Sequence, residues 1–160
     1  MHFDHLVHLV PDLDAATQAY QGLGFTMQPG GEHPGLGTRN ATWRIDAMYI
    51  ELITVHDERL ARAAFGPAWP AIEATLRAGG GGMSFAVLVS DVAATVTELR
   101  SRGLSYTDAQ AGSLRRSDGS TKNWELAFLP EGPPLGTVSD QLRRPARGTG
   151  RPPPGAGIPD

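Results

Sequence analysis

The sequence predicts an α+β fold made of two copies of one strand–helix–strand–strand–strand (βαβββ) unit. Three observations carry this. The chain repeats itself at an offset of 79 residues: LVPDLDAATQAYQGLGF lies over LVSDVAATVTELRSRGL without a gap, and Leu9/Leu88, Val10/Val89, Asp12/Asp91, Ala15/Ala94 and Gly24/Gly103 coincide. In each copy an apolar run of strand length gives way to apolar residues at three-to-four spacing, the change of period that marks a strand followed by a helix. The chain is also long enough, at 160 residues with 40% hydrophobic residues, to bury one core without staples.

Each element follows from local chemistry. The opening strands are His5–Val10 and Ser84–Val89. Asp12 and Asp91 then stand where a helix N-cap needs a side-chain acceptor for the unpaired first-turn amides. The helices bury Leu13, Ala16 and Tyr20 in the first copy, and Val92, Val96 and Leu99 in the second. Gly24 and Gly103 suit a left-handed C-cap. Short strands are expected at Phe25–Met27 and Leu104–Tyr106, and longer ones at Ala41–Ile45, Met48–Val55 and Asn123–Leu129. Between the copies, Ala63–Ala78 reads as a linking helix that stops at four glycines, Gly79–Gly82, read as a flexible hinge. The body is thus 1–132, with module one at 1–56, the link at 57–79 and module two at 80–132.

Composition narrows the function. There is no cysteine, so disulfides, thiolate metal sites and cysteine nucleophiles are excluded. A net charge of −3 argues against a nucleic-acid partner. No apolar run reaches the roughly 20 residues of a membrane span, and the start MHFDHLVHLV has no basic n-region, so a cytoplasmic protein with no membrane partner is expected. The 20 glycines and 13 prolines are unevenly spread: 6 and 7 of them fall in the last 30 positions, among four arginines. Residues 133–160 are expected to be a disordered or aberrant tail, because such a segment cannot offset its ordering entropy by burial.

Several side chains invite a chemical reading. His5 and His8, three apart on a strand, point to opposite faces; if odd positions face inward, His5 is inside and His8 packs under the helix. His5 is then a polar group lining a pocket. Glu51 shares a face with Tyr49 and Ile53. A carboxylate among apolar groups needs a partner, a metal or a raised pKa, which makes Glu51 the best acid/base candidate; the alternative is a solvated residue on a one-sided sheet. The glycine-rich stretch Gly30–Asn40 offers His33, Thr38, Arg39 and Asn40 as convergent substrate contacts, or is a structural loop. Trp43 and Trp124, from matching strands, would sandwich a planar ligand or sit in the core. The run Arg115–Gly119 reads as a solvated hairpin.

The opening FDHLVHLVPDLDAA, LGF at 23–25, the loop GGEHPGLGTRN at 30–40, the strand YIELI at 49–53 and the second opening GGGGMSFAVLVSDVAATVTELRSRG together resemble the vicinal oxygen chelate superfamily, specifically its glyoxalase-like-domain group. The resemblance implies paired βαβββ modules cupped into an open barrel. It implies one divalent metal (Zn, Ni, Mn or Fe) in the cleft, held by first-strand and last-strand residues of both modules, with His5 and Glu51 at those positions in module one. The first-strand counterpart in module two is Ser84, a poor ligand, and the last strand of that module falls in the anomalous tail. The second module is therefore expected to lack its last strand, leaving an open sheet edge that favours a homodimer. Degenerate codons for TVSDQLRRPA, read one nucleotide later, can encode Pro-Phe-Leu-Ile-Asn-Cys-Gly-Asp-Pro, an apolar strand and turn. A frameshift near Gly136 is one account of the tail, and natural divergence the other. Two functions follow from the resemblance. One is an enzyme, a glyoxalase-like lyase or oxidoreductase, acting on a small oxygenated molecule with His5 and Glu51 as metal ligands or catalytic groups. The other is a metal-free protein that binds or sequesters a small molecule.

Overall fold

The computed structural model describes residues 1–116, 118–129 and 135–138. Module one is β1 (His2–Leu9), α1 (Leu13–Gly22), β2 (Gln28–His33), β3 (Thr38–Ile45) and β4 (Met48–Val55). A link of α2 (Glu58–Phe65), a 3-10 turn at Gly66–Ala68 and α3 (Trp69–Arg77) follows. Module two is β5 (Gly81–Leu88), α4 (Val92–Ser101), β6 (Gln110–Arg116), β7 (Thr121–Ala127) and β8 (Leu135–Val138). The α+β class and the paired βαβββ modules stand as the sequence implies.

The helix ends are built as their capping residues dictate. The Asp12 carboxylate accepts from the amides of Asp14 and Ala15, and Asp91 from that of Ala94. Gly24 and Gly103 take φ of 91° and 89°. The expected strands at Phe25–Met27 and Leu104–Tyr106 do not form; the next strands begin later, at Gln28 and Gln110. The linking helix is broken in two, because Pro67 interrupts the ladder after Gly66. The four glycines are no hinge: Gly81 and Gly82 already belong to β5, paired with Leu9 and His8 of β1.

The strands close into a barrel in the order β1-β4-β3-β2-β6-β7-β8-β5. Each module contributes four adjacent strands, and the modules meet antiparallel at β1–β5 and at β2–β6. The β2–β6 seam is tight. A Cβ on Gly31 would stand 2.1 Å from the Arg115 carbonyl oxygen, so only glycine permits this approach. Gly31 thus serves the barrel wall.

Here the sequence reading needs correcting. The second module does not lack its last strand, and the barrel is not open. Leu135–Val138 pairs parallel with β5 and antiparallel with β7, filling the gap between them. A strand held on both sides by backbone hydrogen bonds can be four residues long and needs no long apolar run, which is why its signal in TVSDQLRRP is weak. With that gap filled, the open edge invoked for a homodimer is gone. The rest of the expected tail, residues 133, 134 and 139–160, lies outside the described residues.

Two apolar clusters coat the outside of the barrel beneath α1 and α4, and a third lies at one end of its concave face, under α2 and α3. Leu13, Met27, Ala41 and Leu52 lie under α1, with Trp43 and Phe25 packed against them. Leu9, Ile53, Ala61, Trp69 and Ile72 lie under α2 and α3, and Val89, Val92, Val96, Tyr106 and Ala127 under α4. The apolar core is therefore between sheet and helices. Among the described residues no helix is long and apolar enough to cross a membrane.

Candidate functional site

Register decides which side chains face into the barrel. Parallel and antiparallel partners share a face, so the pairs Val7↔Glu51, Thr42↔Glu51, Asn40↔Ile53 and His33↔Thr38 put Glu51, Asn40, Thr38 and His33 together on the concave side. His5 follows as the partner of Tyr49, and Arg44 pairs with Tyr49 from the other strand. On module two the concave face carries Leu114 and Arg116 of β6, then Lys122 and Trp124 of β7, through Leu114↔Lys122 and Gly112↔Trp124. Over this part of the barrel interior polar groups replace the leucines and valines that fill a small structural barrel, whereas Leu9, Ile53 and Val55 of the same face pack under α2 and α3. That polar lining is the reason to seek chemistry there.

Glu51 is the centre. It is only 8% exposed, and a buried carboxylate requires partners. The Asn40 side-chain amide donates to its Oε1 at 2.5 Å. His5 Nε2 lies 3.5 Å from Oε2, and His33 Nε2 lies 3.8 Å from Oε1. Asn40 is anchored in turn, its Oδ1 accepting from the Gly31 amide at 2.9 Å. The His5 ring is oriented by Asp4, whose carboxylate can only accept, so Nδ1 donates to it across 2.7 Å. Nε2 of the same ring then faces Glu51, so the carboxylate lies between the imidazoles of His5 and His33.

His33 is fixed differently. Its Nδ1 is 2.9 Å from the fully buried Thr38 hydroxyl, and the edge of Trp124 meets its ring at 5.9 Å. Burial holds the His33 pKa below its ordinary value, and the pull of Glu51 does not undo this, so the ring is neutral near pH 7. The Tyr49 ring stacks on His5 at 4.3 Å, and the Arg44 guanidinium lies 4.4 Å from its centre. Burial and the nearby carboxylates of Glu51 and Asp4 push the Tyr49 phenol well above its ordinary range, so it remains a hydrogen-bond donor. Lys122 shows the opposite effect. Burial first, then the positive charge of Arg44, pulls its ammonium below the ordinary lysine range.

Trp124 is laid flat against its neighbour strand. A Cβ on Gly112 would stand 2.2 Å from the indole Nε1, so the glycine makes room for the ring.

The structure brings together six of the residues singled out in the sequence: His5, Glu51, His33, Thr38, Asn40 and Trp124. It does not bring in two. Trp43 points outward, packing edge-on against Phe25 at 4.6 Å under α1. The reason is parity. Concave residues are even-numbered on both β3 and β7, so the odd offset of 81 between Trp43 and Trp124 puts the two rings on opposite faces. Arg39, also odd, lies outside the barrel, 3.7 Å from the Asp14 carboxylate of α1. Nor is Gly30–Asn40 a loop: most of it belongs to β2 and β3. His8 is outside as expected, its Nδ1 2.8 Å from the Tyr20 hydroxyl. The sequence reading missed Asp4, Arg44, Arg116 and Lys122, which strand parity would have found once the register was known.

The expected metal does not fit this donor set. His5 and Glu51 adjoin as neighbouring ligands do, but a catalytic divalent site keeps about three protein ligands, and among the described residues no group of three or more His, Cys, Asp or Glu side chains is arranged to hold a metal ion. Ser84 stands on β5 paired with Val7, and Leu135–Val138 carries no imidazole or carboxylate. Two surface cavities lie away from this centre. One of about 510 Å³ is bounded by His56, Arg62, Trp69 and Glu73, and one of about 290 Å³ lies beneath α1. Neither is lined by Glu51, His5 or His33.

The family model described as "Glyoxalase-like domain" matches residues 3–147. The chain belongs to the glyoxalase-like domain family. It is thereby a vicinal oxygen chelate protein. No curated protein sequence matches it. Among solved structures it is similar to a hypothetical protein from Staphylococcus aureus, with a TM-score of 0.76 and 18% identity over 87% of this chain; the chain spans 59% of that protein. It is also similar to methylmalonyl-CoA epimerase from Mycobacterium tuberculosis, with a TM-score of 0.57 and 23% identity over 86% of each chain. At such identities the likeness is one of fold.

Proposed function

We propose that the barrel interior of this glyoxalase-like domain binds a small oxygenated molecule without a resident metal, with Glu51 as the hydrogen-bond and proton acceptor at its centre. The observation that carries the reading is a buried carboxylate set between two imidazoles. Asp4 fixes the His5 ring, Nε2 lies 3.5 Å from Glu51, and a ligand hydroxyl would donate to the carboxylate. Asn40 and Gly31 hold the carboxylate in place. The donor set favours a metal-free site over the metal-dependent one usual in the superfamily, because module two supplies neither imidazole nor carboxylate at the equivalent strand positions. A carboxylate so placed is suited to accept a proton from an acidic hydroxyl or from carbon next to a carbonyl.

The test has two parts. Metal content is measured on natively purified protein, wild type and His5→Ala. Thermal shifts are then recorded against small hydroxy and keto compounds, with Glu51→Gln alongside. Substoichiometric metal in both proteins, with stabilisation by such compounds that Glu51→Gln weakens, is expected. Stoichiometric metal that disappears in His5→Ala would overturn the metal-free reading, and stabilisation indifferent to Glu51→Gln would remove Glu51 from the centre.

A further inference from the structure

Module two contributes a wall of cations to the barrel interior. Lys122 and Arg116 share the concave face of β6 and β7, and Arg44 reaches it from β3. Among the described residues none of these three forms an ion pair, whereas all the arginines outside the barrel except Arg59 do: Arg39 with Asp14, Arg62 with Glu58 and Glu73, Arg77 with Glu73, Arg100 with Asp108, Arg102 with Glu98, and Arg115 with Glu32. The Lys122 ammonium is instead flanked by rings, with Tyr49 at 6.0 Å and Trp124 at 5.9 Å.

That arrangement is costly in an empty site. A partly buried ammonium is held between aromatic faces, with two guanidinium groups near it and no carboxylate in contact. Its unfavourable setting shows in the lowered pKa, caused first by burial and then by Arg44 and Arg116, against the opposing pull of Asp4 and Glu51. Cations that outnumber the carboxylates near them in a concave wall are matched by an anion that arrives from outside. The local balance specifies its charge. Three cations, Arg44, Arg116 and Lys122, stand against two carboxylates, Asp4 and Glu51, leaving one positive charge over. A monoanion neutralises it and a dianion overshoots. The Trp124 ring favours a flat body beside the charge.

We infer that the barrel takes a small planar monocarboxylate, its carboxylate held by Lys122, Arg116 and Arg44 and its body lying beside Trp124. This rests on the reading of the barrel interior as a binding site and adds the ligand class.

The probes are benzoate, its neutral isostere benzamide, and phenyl phosphate, a dianion near pH 8. Binding to the full chain is measured by protein-observed NMR titration in low salt. Benzoate is expected to bind at least about tenfold more tightly than benzamide, equivalent to about 1.4 kcal/mol, and more tightly than phenyl phosphate. Lys122→Met and Arg116→Met, which keep the apolar stems, should each abolish the preference for benzoate over benzamide. Equal affinity for benzoate and benzamide, no binding of any probe, or a preference that survives both substitutions would overturn the inference. Tighter binding of phenyl phosphate than of benzoate would overturn the assignment to a monocarboxylate. The Glu51→Gln variant separates this result from the previous one. If the anion preference persists while Glu51→Gln changes nothing, the cation wall stands and the role of Glu51 falls.

Discussion

Replacing Asn40 by alanine tests the construction of the site most directly. Asn40 makes two hydrogen bonds with its one side chain: its amide donates to Glu51 Oε1, and its carbonyl oxygen accepts from the Gly31 amide at 2.9 Å. The first ends on a carboxylate and is worth about 1.5–3 kcal/mol, and the second is a neutral bond worth about 1 kcal/mol. Both are shielded from water, Asn40 being 9% exposed, so alanine leaves a backbone donor and a carboxylate oxygen short of partners. The expected loss is about 3 kcal/mol, a large part of the roughly 5–15 kcal/mol that holds a domain folded. In a chain of this size it corresponds to a fall in Tm of about 6–12 °C. Urea denaturation should show a lower midpoint with an unchanged m-value. A double-mutant cycle with Glu51→Ala isolates the pair, with a coupling of about 1.5–3 kcal/mol expected. A loss below about 1 kcal/mol, or a coupling near zero, would refute the claim that Asn40 positions the carboxylate.

Three further outcomes follow from the same geometry. Gly112→Ala places a Cβ 2.2 Å from the Trp124 indole nitrogen, so the ring must leave the wall; the near-UV circular dichroism should change and stability fall by about 1–3 kcal/mol, and an unchanged spectrum would contradict the packing. Lys122→Met removes a buried charge whose pKa is lowered by burial, so the ligand-free protein should be no less stable at pH 7. Between that lowered pKa and the ordinary lysine value the unfolded chain holds more protons than the native one. Wild-type stability therefore rises with pH there, and the variant should lack this rise. His33→Gln addresses the acid side: the lowered pKa of His33 contributes stability present above about pH 6.5 and lost as pH falls through the native-state value, so chemical denaturation from pH 7 to pH 4 should show a smaller loss in the variant.

Much of the fold was legible because repeated local signals pointed the same way. The offset of 79 residues holds from β1 to β5 and from α1 to α4, where strand, cap and helix follow one another with no room for insertion. It drifts beyond the helices, since β6 and β7 start 82 and 83 residues after β2 and β3, and strand faces alternate every residue. An odd slip reverses a strand's faces without altering its apolar pattern much. This is why Glu51 and His5, on strands with clear alternation, were read correctly, while Trp43 and Arg39 were assigned to a face they do not occupy. The cations were illegible for a related reason. Lys122, Arg116 and Arg44 look like ordinary surface charges until pairing brings three strands onto one concave face. The last strand was missed because four residues paired on both sides carry little side-chain signal of their own.

The two modules share one fold but contribute unlike chemistry, and that asymmetry orients a ligand. In a symmetric pair, the place of His5 on β1 would be repeated on β5, where Ser84 stands instead. The carboxylates Asp4 and Glu51 belong to β1 and β4 of module one, whereas Lys122 and Arg116 belong to β6 and β7 of module two. The barrel interior therefore has an acceptor side and a cationic side. A ligand carrying a hydroxyl at one end and a carboxylate at the other satisfies both, and in the reverse orientation it would set its own carboxylate against Glu51, a like-charge contact with low solvent screening. Neutralising Glu51 should then act on orientation as well as on affinity. In Glu51→Gln the reversed pose loses its penalty, so a hydroxybenzoate bound in one pose by the wild type should occupy two in the variant, visible as doubled or broadened ligand resonances. A single sharp ligand signal in both proteins would show that the charge asymmetry between the modules does not set the ligand's direction.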